Sequence, residues 1–179
     1  MSSNSTILGA AGEHYVMYHL LRRDLIAALA PVGVPNADII VTDKIGKRLC
    51  AVQVKVRRDL GTDGGWHMSE KHQGIKSANI FYCFVDFGNS LADHPKTWVV
   101  PSAIVARSLS VSHQKWLGMP GRNGRAHKDS SFRRFCPSYD HLNLSQYKLG
   151  WLDQYFEGWG RLEKVTKKSE WRFRRAPTQ

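Results

Sequence analysis

Four residues of this 179-residue chain have the types and order that oxygen-based cation chemistry requires: Glu13, Asp38, Gln53 and Lys55. Side chains alternate faces along a strand. In the run Leu49 to Val56, Val52, Val54 and Val56 therefore share one face, while Ala51, Gln53, Lys55 and the following Arg57 share the other. A lysine projecting from a core strand needs a partner, because lysine is rarely buried unpaired. The stretch before it supplies one. Ala37 to Val41 and Leu49 to Val56 read as the strands of a hairpin around Lys44-Ile45-Gly46-Lys47. A turn centred on Ile45-Gly46 sets Asp38 opposite Gln53, with Lys55 one diagonal away, about 5–8 Å between Cβ atoms. A slip of one residue would send Asp38 to the opposite face. Ile-Gly is a poor two-residue turn, so a longer loop is an alternative, and an even slip keeps the same facing.

These donors suit a hard divalent cation, Mg²⁺ or Mn²⁺, which takes oxygen ligands, keeps several waters and needs only one or two carboxylates. Asp38 and the Gln53 amide oxygen are the candidate direct ligands, joined by the Val54 carbonyl. Glu13 would act directly or through water. Lys55 would stand beside the water that attacks phosphorus, so the chemistry expected is phosphodiester hydrolysis. Residues from about Ala10 to Ala30 read as the helix that carries Glu13, ending before Pro31. Val16, Met17, Leu20 and Leu21 follow Glu13 at helical spacing, which puts Glu13 at the head of the buried stripe. Such a carboxylate either favours the helix N-terminus, worth ~0.3–1 kcal/mol, or meets a cation or hydrogen-bond donor. In the competing reading Asp38 merely starts a strand, and Gln53 and Lys55 line a solvated sheet face. That reading gives Glu13 no reason to head a buried stripe.

The remaining elements must position this set. After the hairpin, Asp59 to Gly74 reads as a glycine-rich loop and a short helical start displaying Trp66, His67, Lys71 and His72, suited to substrate contact. Ile80 to Phe87 reads as a strand covered on both faces, and Thr97 to Val100 as another. Pro101-Ser102 opens a helix through Leu109. That order describes a mixed α/β sheet with helices on its faces. Lys115 to Tyr139 reads as irregular, and Gln146 to Glu163 as a helix packed back on the core. One domain spanning 1–179 is expected, with a core over about 1–110 and a basic extension over about 111–179.

Composition narrows the partner. The formal net charge of +11 makes a polyanion, nucleic acid first, the leading class. Between Gly121 and Pro137, Arg122, Arg125, Lys128, Arg133 and Arg134 stand against the single acid Asp129, and the tail beyond Lys164 mixes basic residues with Trp171 and Phe173. Together with Arg57, Trp66, His67 and Lys71, the five cations are the expected nucleic-acid contacts. No apolar run approaches the ~20 residues of a membrane span, so no membrane partner is expected. Cys50, Cys83 and Cys136 form no CxxC, which suggests a reduced, cytoplasmic setting. The eight histidines show no HxxxH or HExxH spacing, and neither a GxSxG elbow nor a Walker loop is present.

Glu13 in an early helix, Asp38 on a strand and Gln53-Val54-Lys55 on the next resemble the PD-(D/E)XK nuclease superfamily. The GAAGEHYVMYHLL helix is similar to the first helix of Holliday-junction-resolvase-like members, and VQVKVRR to the QxK strand of Mrr-like restriction endonucleases. The resemblance covers roughly the first half of the chain. It implies a restriction-endonuclease-like fold, a Mg²⁺-dependent endodeoxyribonuclease and DNA as partner, with RNA an alternative. Duplex cleavage by such enzymes needs two sites, which implies a homodimer. Two departures stand out. Ala37 occupies the place of the motif's proline, and Gln53 that of its second carboxylate, which removes one negative charge from the site. A decayed site on the same fold, binding nucleic acid without cutting it, is the alternative.

Overall fold

The computed structural model describes residues 3–47, 49–58 and 64–167, with the side chains of 3, 4, 122 and 165–167 excepted. The chain begins with helix α1 (Ser3–Leu21) and strands β1 (Ile26–Leu29), β2 (Ile39–Thr42) and β3 (Leu49–Arg57). Then come β4 (Trp66–Ser69), a single 3₁₀ turn (Glu70–Gln73), β5 (Ile80–Asp86), β6 (Lys96–Pro101) and α2 (Ser102–Leu117). After β7 (Phe132–Phe135) three short 3₁₀ turns lead into α3 (Gly160–Lys167).

Five strands form one sheet in the order β1-β2-β3-β5-β6, and β4 pairs with β7 in a separate two-stranded ribbon. β3 and β5 run parallel, and the other pairs antiparallel. The β2–β3 register matches the expectation, with Ile39 opposite Val52 and Thr42 opposite Leu49. The turn is longer than two residues. Asp43 closes it by accepting the N–H of Ile45 at 3.2 Å and of Lys47 at 3.0 Å, and Gly46 takes the positive φ that the bend requires.

Each face of the sheet has its own core. On one, Val52 and Val54 of β3 meet Val16 and Leu20 of α1, together with Trp159 and Leu162 from the C-terminal part of the described chain. α1 lies close: a Cβ at Gly12 would stand 2.2 Å from Cγ2 of Val56. On the other face, Tyr82 and Phe84 of β5 pack with Val105 and Leu109 of α2 and with Trp66 and Phe135 of the ribbon. Cys50 and Cys83 are buried, as core residues, and so is Cys136.

Four expectations about elements need correction. The first helix stops at Leu21, because Asp24 adopts φ +60°, and Ile26–Leu29 turns into β1 against β2. The IAAL segment favours a helix locally, but the ladder with Ile39–Thr42 wins. Trp66–Ser69 is a strand rather than part of a loop, since Phe132–Phe135, itself expected to be irregular, pairs with it. α2 runs on to Leu117, well past Leu109. The segment from Gln146 is no long helix. Gly150 and Glu157 sit at positive φ and break it into turns, leaving Leu149 exposed while Leu152, Tyr155 and Trp159 are buried.

Candidate functional site

The polar constellation assembles where β2 begins. Strand pairing stops at Ile39–Val52, and there the Asp38 N–H still donates to the Val52 carbonyl at 2.9 Å. The Asp38 side chain continues the ladder. Its Oδ2 accepts the Val54 N–H at 2.7 Å and the Gln53 Nε2–H. Val54 thus meets Asp38 through its N–H. The amide nitrogen of Gln53, not its oxygen, faces the carboxylate, which is the electrostatic preference beside a negative charge. A half-turn about the terminal torsion would exchange the two, which a cation seated between them would favour. Gln53 is only 8 % exposed, so its position is set by packing.

Lys55 follows on the same face, half-buried, with no ion pair or hydrogen bond among the described residues. Burial lowers the affinity of its amine for a proton, the Asp38 charge raises it, and nearby Lys71 lowers it again. Glu13, on α1, lies within electrostatic range of Asp38. Burial first, and then the Asp38 charge, raise its carboxyl above the usual range, with His14 pulling it down. Glu13 flanks rather than heads the buried stripe, which runs through Gly12, Val16 and Leu20 and leaves Leu21 exposed.

Beneath this set lies a pair the sequence does not advertise. Tyr82 stands beside Gln53 in the parallel β3–β5 register, and its hydroxyl meets Nδ1 of His72 at 2.8 Å. His72 is 2 % exposed. Its imidazole is pushed down to about 4 by burial, then by the charges of Lys55 and Lys71. Burial, and then Asp38, push the Tyr82 phenol up. Local sequence holds no signal for this pair, because the β3–β5 register and the placement of the 3₁₀ turn create it.

The proposed nucleic-acid contacts separate into two groups. Lys71, His67, Arg125 and Lys128 are exposed, and His67 stands edge-on to the Phe132 ring at 5.1 Å. Arg57 and Trp66 are not available. The Arg57 guanidinium donates to Oδ2 of Asp86 at 2.9 and 2.6 Å and lies 4.2 Å over the Trp66 ring. Trp66 is 1 % exposed and donates its Nε1–H to the Val85 carbonyl. Arg133 is likewise buried, bonded to the Phe132 carbonyl at 2.9 Å and 3.6 Å from Asp129. Arg134 is half-buried. The Arg122 side chain and the tail with Trp171 and Phe173 lie outside the described residues.

The oxygen atoms on offer to a cation are those of Asp38 and the Gln53 amide, with the Glu13 carboxyl within electrostatic range of Asp38. Such a donor set matches Mg²⁺ or Mn²⁺ better than a transition metal bound by sulfur or imidazole. It is sparse. Among the described residues no three His, Cys, Asp or Glu side chains gather as a metal group. Both described Asp38 side-chain bonds use Oδ2.

No protein family's sequence model matches the chain, and no curated protein matches it. Solved structures do. I-Ssp6803I, a bacterial homing endonuclease, superposes with a TM-score of 0.50 at 16% identity, over 92% of this chain and 96% of that one. Hjc, a Holliday junction resolvase from Archaeoglobus fulgidus, matches with a TM-score of 0.39 at 13% identity, over 72% of this chain and 83% of that one. No helix among the described residues is long and apolar enough to cross a membrane. With α1 against one face of a mixed five-stranded sheet, α2 against the other, and a homing endonuclease superposing along nearly all of it, the chain has a restriction-endonuclease-like fold.

Proposed function

We propose that the chain is a metal-dependent nuclease that hydrolyses DNA phosphodiester bonds. The observation supporting this most directly is that Asp38, Gln53 and Lys55 converge on one sheet face, with Glu13 and Lys71 within electrostatic reach. Asp38, Gln53 and Glu13 would hold a divalent ion, Mg²⁺ or Mn²⁺, which would supply Lewis-acid activation of water and offset phosphate charge. The chain's own residues do the rest. Asp38 fixes the seat, tethered by the Val54 N–H and the Gln53 amide. Lys55 holds its ammonium toward the reacting phosphate, where it stabilises the growing negative charge. Lys71 adds a second positive charge beside it for the flanking backbone. Two copies, each bringing one such site, would cut both strands of a duplex.

A second reading has its own support. Gln53 spends its amide on Asp38 and contributes no charge, so the site holds one carboxylate fewer than the motif it resembles. On that reading the protein binds nucleic acid without cutting it.

Incubation of supercoiled plasmid and of a matched RNA with the protein in excess Mg²⁺ or in EDTA separates the two, the excess of cation being what fills a sparse site of low metal affinity. Cation-dependent nicking that Asp38→Ala and Lys55→Ala abolish, with DNA binding retained, supports the nuclease. Salt-sensitive binding without cutting by the parent protein supports the second reading.

A further inference from the structure

The stretch Lys115 to Lys128 ends α2 and then forms a short finger, and it carries Lys115, Arg122, Arg125 and Lys128 with no acid among them. The two legs of the finger meet at Pro120 and Ala126, and the Gly121 N–H donates to the Arg125 carbonyl at 2.7 Å. Asn123 and Gly124 turn the tip at φ +60° and +72°, the left-handed conformation that tight hairpins favour in this residue pair. The neck is close-packed: a Cβ at Gly121 would stand 2.8 Å from the Arg125 carbonyl oxygen and 3.1 Å from Cε1 of His127. At the root His127 stacks on Trp116 with ring centroids 3.9 Å apart, and Trp116 stacks on His113 at 5.5 Å. The fold thus fixes the finger's direction while Asn123, Gly124, Arg125 and Lys128 stay exposed. Asp129, the acid that follows, is already engaged 2.7 Å from Nε2 of His113, and among the described residues neither Arg125 nor Lys128 has an ion pair. The return leg leads to Ser131, whose carbonyl accepts the Glu70 N–H at 2.8 Å, one residue before Lys71 of the candidate nuclease site.

We infer that this finger enters the minor groove of duplex DNA, with Arg125 and Asn123 at the base edges and Lys128 on the phosphates beside them. An acidic protein partner would need apolar side chains to bury at the centre of the contact, and the exposed finger offers only Pro120 and Ala126. The major groove, about 12 Å wide, takes a helix or the body of a ribbon. Here the legs are one hydrogen-bonded pair wide, about 5.5 Å between Cα atoms, and what projects from the tip is an amide and a guanidinium. Those are groups that minor-groove binders use, and the narrow groove of A·T-rich DNA concentrates the negative potential that draws an arginine in. The inference takes DNA as partner from the proposed function and adds where the duplex is read; it needs neither Asp38 nor a cation beside it.

Fluorescence anisotropy of the full chain in EDTA, where binding is read apart from cutting, tests it with three short duplexes: G·C pairs, the same sequence with inosine in place of guanine, and A·T pairs. Inosine removes the amino group from the minor groove and leaves the major-groove edge unchanged. The inosine and A·T duplexes are expected to bind roughly fivefold tighter than the G·C duplex. Arg125→Ala, at an exposed position compatible with folding, should erase that preference, weaken the A·T duplex roughly tenfold and lower the salt slope by about one. Asn123→Gly, which keeps the left-handed turn, should weaken the A·T duplex as well. Salt-sensitive binding with no preference for inosine over guanine, or a preference that survives Arg125→Ala, overturns the inference and leaves DNA as the partner. No binding to any of the three duplexes overturns both.

Discussion

The His72–Tyr82 pair beneath the QxK strand makes a quantitative prediction about acid stability. In the fold the His72 imidazole titrates near 4, against an ordinary value of 6.5. Its folded affinity for protons is lowered, so the unfolded chain takes up a proton that the folded chain refuses. The stabilisation is therefore complete above pH 6.5 and is lost as pH falls toward 4. One pKa unit corresponds to 1.36 kcal/mol, so lowering the pH from 7.5 to 4.5 should remove about 2.5 kcal/mol at this position alone. That is a large share of the ~5–15 kcal/mol stability of an ordinary domain. Other groups titrate over the same range, so the comparison must be made against a variant. His72→Gln keeps a side chain able to bond the Tyr82 hydroxyl and removes the titration. Urea unfolding at the two pH values should show the parent losing about 2.5 kcal/mol more than His72→Gln. Equal losses in the two proteins would refute the account of His72 as a buried, neutral imidazole held against Lys55 and Lys71.

Other positions give sharp tests. Gly12→Ala brings a Cβ to 2.2 Å from Cγ2 of Val56, so overpacking of about 1–3 kcal/mol should outweigh the helix-propensity gain. Val56→Ala should restore most of that loss in a denaturant double-mutant cycle. Arg57→Ala strands the buried Asp86 carboxylate and should cost about 3–5 kcal/mol by the same measurement, marking Arg57 as a structural clamp. Gln53→Glu places a second carboxylate against Asp38. Its melting temperature should fall in EDTA and recover in millimolar Mg²⁺ more than the parent's does, as read by differential scanning calorimetry.

Much of the sheet was legible because its signals are local. Alternation in Leu49–Arg57 separates Val52 and Val54 from Gln53 and Lys55, and the short path from Asp38 to Gln53 leaves few registers for the hairpin. The apolar run of β5 announces burial on both faces. What escaped depends on distant pairing. Ile26–Leu29 has the composition of a helix and becomes a strand only because Ile39–Thr42 lies alongside. Trp66–Ser69 becomes a strand only because Phe132–Phe135 meets it across more than sixty residues of chain. The same ribbon removes Trp66 and Arg133 from the surface, where composition alone had placed them as nucleic-acid contacts. Arg57 was misjudged for a similar reason, since its partners Asp86 and Trp66 come from other strands. At the candidate site, the Asp38–Gln53 juxtaposition follows from register, whereas the orientation of the amide and the use of the Val54 N–H follow from side-chain geometry.

The central claim is that Asp38, Gln53 and Glu13 surround a seat for a hard divalent cation, with Lys55 beside it. Crystals of the protein with a short DNA duplex, grown in millimolar Mn²⁺ and measured at the manganese absorption edge, test it most directly. The account predicts an anomalous peak about 2.1 Å from an Asp38 carboxylate oxygen, with the Lys55 ammonium turned toward the same phosphate. No peak at Asp38 with DNA bound, or a peak held only by residues elsewhere in the chain, would contradict it.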